Sequence, residues 1–142
     1  CRLGDPEAQA VLPVINEDIL PLFFAAANGQ LAEDRVIPAS RCALCVVMVP
    51  QVYGYQTQYP NQVITHLDWA VDILKEDGFV FHANTKWQNG KLVTNGGRVL
   101  GVTAWDKRFN RANTLANYAA SKICFDGSYF RPDIGYHALI HC

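Results

Sequence analysis

The chain has 142 residues, of which 50% are hydrophobic and 18% are charged, and its formal net charge is −1. This balance is typical of a single globular domain and argues against an intrinsically disordered chain. The near-neutral charge disfavours a broad phosphate-binding surface, but it leaves room for a local anion site.

The lack of a recognisable targeting signal and the pattern of cysteines favour a cytoplasmic protein. No apolar run approaches the ~20 residues of a membrane helix, and no secretory signal opens the chain. The five cysteines are odd in number and show no framework spacing. Cys42 and Cys45 form a lone C-x-x-C in an apolar segment, which predicts a buried pair of free thiols rather than a zinc site. Because Cys1 replaces an initiator Met, we expect a piece of a longer protein.

Residues 5–28 are predicted to be helical. Asp5 is the candidate N-cap, with Pro6 at the first helical position and Glu7 in the first turn. Pro13 interrupts this helix.

A second helix is expected to begin at Asn16 or Asp18 and to end at 28–29, where an Asn-Gly pair is a typical C-terminal signal. "SRCALCVVMV" (40–49) then predicts a buried strand. The uncharged segment 50–62 is either a plain connector or an ordered loop over a cleft.

The middle of the chain predicts a helix and several strands. "HLDWAVDILKEDG" is expected to form a short helix closed by Gly78. "FVFHANTKW" and "GKLVT" read as strands joined by an Asn89-Gly90 hairpin. A second Asn-Gly pair at 95–96 predicts another turn of this kind before the longer strand "RVLGVTAW".

The last third predicts a helix, a turn and a short helix. Asp106 is the expected cap of the longer helix, which carries an apolar stripe at helical spacing. The stripe consists of Phe109, Ala112, Ala116, Ala119, Ala120 and Ile123. Together these elements predict an α+β fold, in which an antiparallel sheet packs against helices.

The opening "CRLGDPE" is the first candidate site. Arg2, Asp5 and Glu7 lie together where a helix begins. Acidic groups are favoured there by the helix dipole without any ligand. An arginine beside a glycine and a helix N-terminus can also hold a phosphate or carboxylate.

The second candidate is "TNGGRVLGVTA", with Asn95, Gly96, Gly97 and Arg98. Asn and Gly tolerate positive φ, so a simple turn explains the pattern. Two adjacent glycines also allow backbone N–H groups to converge on an anion, with the guanidinium beside them. The local pattern leaves both interpretations open.

The tail "FRPDIGYHAL" is the third candidate. Arg131 and Asp133 can form an ion pair that fixes the tail, or part of a site. His82, on an apolar strand, is interpreted as a core or edge histidine rather than a catalytic base. The sequence contains no P-loop, dinucleotide fingerprint or catalytic triad spacing.

Taken together, "CRLGDPEAQAVLP", "CVVM", "FVFHANTK", "LVTNGGRVLGVTA" and "RPDIGYHAL" resemble glycinamide ribonucleotide synthetase, or phosphoribosylamine–glycine ligase, in order and approximate spacing. The resemblance covers nearly the whole chain. It implies that residues 1–39 are the end of an ATP-grasp domain. It also implies that residues 40–142 are the family's C-terminal domain, a small antiparallel sheet with packed helices.

The resemblance further implies an ATP-dependent ligation of glycine to phosphoribosylamine in purine biosynthesis, through a glycyl phosphate. ATP and Mg²⁺ (or Mn²⁺) would serve the full-length enzyme, whose metal ligands lie upstream of Cys1. The partners implied are small-molecule substrates and the missing N-terminal part, with no nucleic acid or membrane. This piece alone is expected to be inactive and to bind neither cofactor tightly.

The candidate residues would orient phosphoribosylamine or glycine, or hold this domain against the ATP-grasp core. Three departures from the family pattern lie at residues 51–56, at Asn84 in "HANT", and at His66-Leu67 in place of "GL". They leave an alternative open: a non-catalytic or drifted domain of the same fold that binds an anion or a partner without turnover.

Overall fold

The structure, a computed structural model, describes residues 2–32, 39–54 and 60–141. It contains helices and antiparallel sheets, so the predicted α+β class is confirmed. The helices are α1 (Glu7–Val11), α2 (Leu20–Ala27), α3 (Leu67–Leu74), α4 (Phe109–Ala120) and α5 (Tyr136–His141), with a 3₁₀ turn at Leu12–Val14. The strands are β1 (Cys42–Pro50), β2 (Pro60–Val63), β3 (Gly78–His82), β4 (Thr85–Gln88), β5 (Lys91–Asn95), β6 (Leu100–Asp106) and β7 (Ser128–Tyr129).

The larger sheet is antiparallel, with the strand order β3-β6-β1-β7. Strand β6 lies inside it, paired with β1 from Cys42↔Asp106 to Met48↔Leu100. Residues 100–105 are buried, because neighbouring strands flank β6 on both sides and α4 packs against it. This continuous burial is typical of a strand that is covered on both faces.

A second, three-stranded sheet has the order β2-β5-β4, so the prediction of one sheet was wrong. The Asn89-Gly90 hairpin between β4 and β5 is confirmed, with φ of 52° and 72°. The predicted strand "FVFHANTKW" is two strands, because β3 pairs in the larger sheet and β4 in the smaller one. Between them the N–H groups of Ala83 and Asn84 both donate to the Val99 carbonyl, which turns the chain out of the larger sheet.

The second Asn-Gly pair, Asn95-Gly96, does not close a hairpin. Strand β5 pairs with β2 and β4, whereas β6 pairs with β1 and β3, so this turn carries the chain from one sheet to the other. Gly96 and Gly97 have φ of 95° and 59°, values that L side chains adopt only at a cost. The predicted turn therefore exists, but it connects two sheets.

The apolar stripe of α4 is confirmed as the helical side of the core. Its alanines at 112, 116, 119 and 120 are fully buried, and the small side chains let the helix lie close to the sheet. Asp106 does not cap α4. Its carboxylate accepts the Arg108 N–H at 2.8 Å, and the helix begins after that residue. Arg111 lies 3.6 Å from the other carboxylate oxygen.

Helix α3 ends earlier than predicted. It stops at Leu74, followed by Lys75 in a positive-φ conformation (48°), and Gly78 does not close it. Gly78 instead begins β3, where its backbone lies directly against β6.

The N-terminal helices differ from the prediction in their caps. Pro6, not Asp5, occupies the N-cap of α1 and so precedes the first helical residue, while Glu7 lies in the first turn as expected. Before α2, Asp18 accepts the Leu20 N–H at 2.9 Å, so it is Asp18 that stabilises the helix start.

The predicted C-terminus of α2 is confirmed. Asn28 is the C-cap and Gly29 follows with φ of 65°. The N–H groups of Gly29 and Gln30 donate to the carbonyls of Ala26 and Ala25 at 3.2 and 2.8 Å, which is a Schellman motif.

The C-x-x-C pair is not buried as a pair, although both thiols are free. Cys42 is exposed and Cys45 is buried. Positions three apart along a strand face opposite sides of a sheet, so a buried pair was the wrong expectation. Residues 55–59 of the predicted loop and residues 33–38, next to the predicted boundary at 39/40, lie outside the described residues, as do Cys1 and Cys142. No helix in the described part of the chain is long and apolar enough to cross a membrane.

Candidate functional site

Arg98 joins the N-terminal segment to the sheet domain. Its guanidinium donates a hydrogen bond to the Asp5 carbonyl oxygen, and Nη2 lies 3.5 Å from the Asp5 carboxylate. Their side chains are 40% and 42% exposed, so the ion pair itself contributes at most about 1 kcal/mol. The contact connects two of the three sequence motifs across 93 positions.

A second set of contacts holds α1 against the sheet. Gln9 donates from Nε2 to Asp5 Oδ1 at 2.9 Å, and its Oε1 accepts a hydrogen bond from the Cys45 thiol at 3.3 Å. Gly101 permits this approach, since a Cβ there would collide with Gln9 Oε1 and lie 3.1 Å from the Cys45 sulfur. Burial raises the pKa of the Cys45 thiol, which therefore stays protonated and acts as a hydrogen-bond donor.

The first cavity, of about 790 Å³, is lined by the N-terminal segment and Arg98. It brings together Arg2, Asp5 and Glu7, as the sequence predicted for the opening motif, and adds Arg98. Two arginines and two carboxylates on one open surface can hold a zwitterionic or anionic small molecule.

The second cavity, of about 560 Å³, lies on the other side of Arg98. Pro6 and strand β1 contribute apolar walls, including Val47 and Val49, and Arg131 enters from the tail. Arg98 lines both cavities and so stands between them.

Arg131 and Asp133 form the ion pair predicted as one interpretation of the tail. The contact is forked, with Nε to Oδ1 at 3.1 Å and Nη2 to Oδ2 at 2.7 Å. Hydrogen bonding from Arg131 lowers the pKa of the Asp133 carboxyl, and the pKa of Arg131 is raised in turn. Asp133 thereby orients the side chain of Arg131, a residue that lines the second cavity.

The third cavity, of about 510 Å³, contains the rest of the glycine motif. Asn95, Gly96 and Gly97 line it, whereas Arg98 does not. The structure thus divides a continuous motif between two sites, because the turn directs consecutive residues to different sides. Asn84 also lines this cavity, and its Nδ2 donates to the Arg98 carbonyl at 3.1 Å.

The family model described as "Phosphoribosylglycinamide synthetase, C domain" matches residues 43–137. The chain belongs to this family.

Curated relatives align over almost all of the chain. The trifunctional purine biosynthetic protein adenosine-3 of Gallus gallus is 41% identical over 141 residues, which are 98% of this chain and 14% of that protein. The phosphoribosylamine–glycine ligase of Synechocystis is 39% identical over 140 residues, or 98% of this chain and 32% of that enzyme. A crystal structure of the phosphoribosylamine–glycine ligase from Thermotoga maritima superposes with a TM-score of 0.75 and 29% identity, covering 94% of this chain and 31% of that one. The chain therefore spans about a third or less of these relatives.

Two of the three departures expected from the resemblance, at His66-Leu67 and Asn84, lie wholly within the described residues. His66, the first residue of the His66-Leu67 departure, has φ 59° and ψ 23°, the left-handed region that favours glycine. Its ring stacks on Trp69 at 4.6 Å. Asn84, in contrast, has no positive φ, and its amide supports the glycine turn through the Arg98 carbonyl. In the 51–56 departure, residues 55 and 56 lie outside the described ranges.

His82 is an edge histidine, one of the predicted interpretations. It ends β3, the edge strand of the larger sheet, and its exposed ring bonds Thr85 Oγ1 through Nδ1 at 3.0 Å. Among the described residues, no cluster of three or more His, Cys, Asp or Glu side chains is placed to hold a metal ion.

Proposed function

We propose that this chain is the C-terminal part of a cytoplasmic phosphoribosylamine–glycine ligase of purine biosynthesis. The observation that carries the proposal is the family match over residues 43–137, together with ligases of that name that align over nearly the whole chain. The shared fold with the Thermotoga maritima ligase supports it.

In the proposed reaction, ATP phosphorylates the glycine carboxylate, and the phosphoribosylamine nitrogen then attacks the acyl carbon of glycyl phosphate. The products are glycinamide ribonucleotide, ADP and phosphate. Mg²⁺ (or Mn²⁺) would neutralise charge on the transferred phosphoryl group. On the family resemblance, we assign its ligands to another part of the complete protein.

Within this chain we assign orientation of the substrates to the residues around Arg98. Its planar fork suits a phosphate or carboxylate, and the contact with Asp5 fixes its direction between two cavities. Arg2 and Glu7 complete the first cavity, and Arg131, held by Asp133, contributes to the second.

A growth experiment tests the proposed function. The complete coding frame that contains this chain is expressed in a bacterial strain that lacks its own phosphoribosylamine–glycine ligase. We expect growth without added purine, and we expect a stop codon before residue 1 to abolish it. A soluble complete protein that supports no growth would contradict the proposal and leave the non-catalytic alternative.

A further inference from the structure

The third cavity has the composition of an anion site. Three asparagines, one lysine and a glycine turn line it. These residues are Asn61, Asn84, Asn95, Lys86, Gly96 and Gly97. No Asp or Glu lines the cavity among the described residues, so its side chains contribute only positive charge and neutral dipoles.

The cation of this cavity is Lys86, which sequence reasoning did not single out. It lies on β4 opposite Val93, two positions after Asn84. The Asn95 N–H donates to the Asn84 carbonyl at 2.9 Å, which joins the backbones of these two lining residues. None of the ion pairs in the described ranges involves Lys86. Its ammonium group is therefore available to a ligand.

The backbone of the cavity is held in conformations that expose main-chain groups. Asn61 has φ of 68°, and Gly96 and Gly97 have φ of 95° and 59°. A Cβ at position 97 would lie 3.2 Å from the Asn84 Nδ2 atom, so a side chain there would press on that amide. Successive N–H groups in turns of this kind are common donors to anions.

We propose that this cavity binds a tetrahedral phosphate group, with Lys86 as the counter-ion and the asparagine amides and glycine turn as hydrogen-bond donors. Phosphate suits the site because several donors converge there without an opposing carboxylate. The phosphate comes either from a sugar phosphate or from free inorganic phosphate. Only this choice of source rests on the proposed function. Arg98 acts elsewhere, since its side chain faces Asp5.

The test is a titration of the complete protein, selectively labelled with ¹⁵N-glycine, with inorganic phosphate and separately with ribose 5-phosphate. We expect the Gly96 and Gly97 amide resonances to shift and saturate. Lys86→Gln should weaken binding about tenfold or more, which is the loss expected for one charged hydrogen bond. Asn95→Asp, which places a negative charge in the cavity, should abolish saturation.

Lys91→Gln is the matched control. It removes the same charge from the same small sheet, but position 91 does not line the cavity. The affinity of this variant for phosphate should therefore change less than twofold. If ribose 5-phosphate binds more tightly than inorganic phosphate, the natural ligand is a sugar phosphate. If the two bind equally well, the natural ligand is free phosphate. Both outcomes support the site. Unshifted Gly96 and Gly97, identical shifts with chloride at equal ionic strength, or equal losses at positions 86 and 91 would overturn it. Because binding is measured without turnover, failure here is distinct from failure of the ligase function.

Discussion

Gly78→Ala is expected to destabilise the chain by about 3 kcal/mol, at the upper end of the usual cost of overpacking. A methyl group at this position would collide with the Thr103 carbonyl oxygen and would lie 2.6 Å from Leu74 Cδ2 and 3.2 Å from Ala104 Cα. Two of these obstacles are backbone atoms of the buried strand β6, which cannot move without opening the sheet. Urea denaturation of the chain, monitored by circular dichroism, measures the loss.

Gly4→Ala is the control for this effect. A methyl group there would meet Glu7 Oε2, the far end of a flexible side chain, with the Glu7 Cδ at 3.3 Å. That carboxylate can rotate away, so we expect a change within about 0.5 kcal/mol. A Gly78→Ala chain as stable as the Gly4→Ala chain would show that β3 does not lie against β6 as described.

Arg98→Ala is expected to lower kcat/KM for ligation in the complete protein by roughly 10- to 100-fold, the loss of about 1–3 kcal/mol that follows removal of a charged hydrogen bond. The substitution should lower the free energy of unfolding by about 1 kcal/mol at most, because the paired side chains of Arg98 and Asp5 are 40% and 42% exposed. Steady-state kinetics and thermal unfolding of the same preparation separate the two effects.

Two further variants make the Arg98 result specific. Arg111→Ala removes another exposed guanidinium that pairs with a carboxylate, at 3.6 Å from Asp106, and should leave kcat/KM unchanged. Arg98→Lys keeps the charge but loses the fork, so it should recover only part of the activity. Full activity in Arg98→Ala would reduce this residue to a contact between the N-terminal segment and the sheet.

Elements with strong local signals were predictable from the sequence. The buried stripe of α4 follows from 3.6-residue periodicity, and the end of α2 follows from Asn28-Gly29. The Asn89-Gly90 hairpin formed for the same reason, since its positive φ values are set within the turn itself. Each of these features depends on neighbours in sequence.

The choice of sheet partner was not predictable, because it depends on distant strands. Asn89-Gly90 and Asn95-Gly96 have the same local chemistry, yet one closes a hairpin and the other crosses between sheets. The division of 79–87 between β3 and β4 likewise follows from two hydrogen bonds to the Val99 carbonyl. Nothing within that segment indicates the break.

The candidate site was predictable only in part. Asp5 and Arg98 were predicted as members of two separate candidate motifs, and the structure brings them into contact, although local charge gave no reason to pair residues so far apart. Lys86 and Asn84 were missed as site residues because a lysine on an exposed strand is usually solvated. Their common cavity becomes visible only once the two sheets are assembled.

We propose that this chain belongs to an enzyme that activates glycine as an acyl phosphate. The most direct measurement incubates the complete purified protein with phosphoribosylamine, ATP, Mg²⁺ and glycine labelled with ¹⁸O in its carboxylate. Because the bridging oxygen of glycyl phosphate comes from glycine and leaves with phosphorus, we predict glycinamide ribonucleotide together with an equal amount of inorganic phosphate that carries one ¹⁸O atom. A folded protein that forms no glycinamide ribonucleotide, or that releases only unlabelled phosphate, would rule out this function.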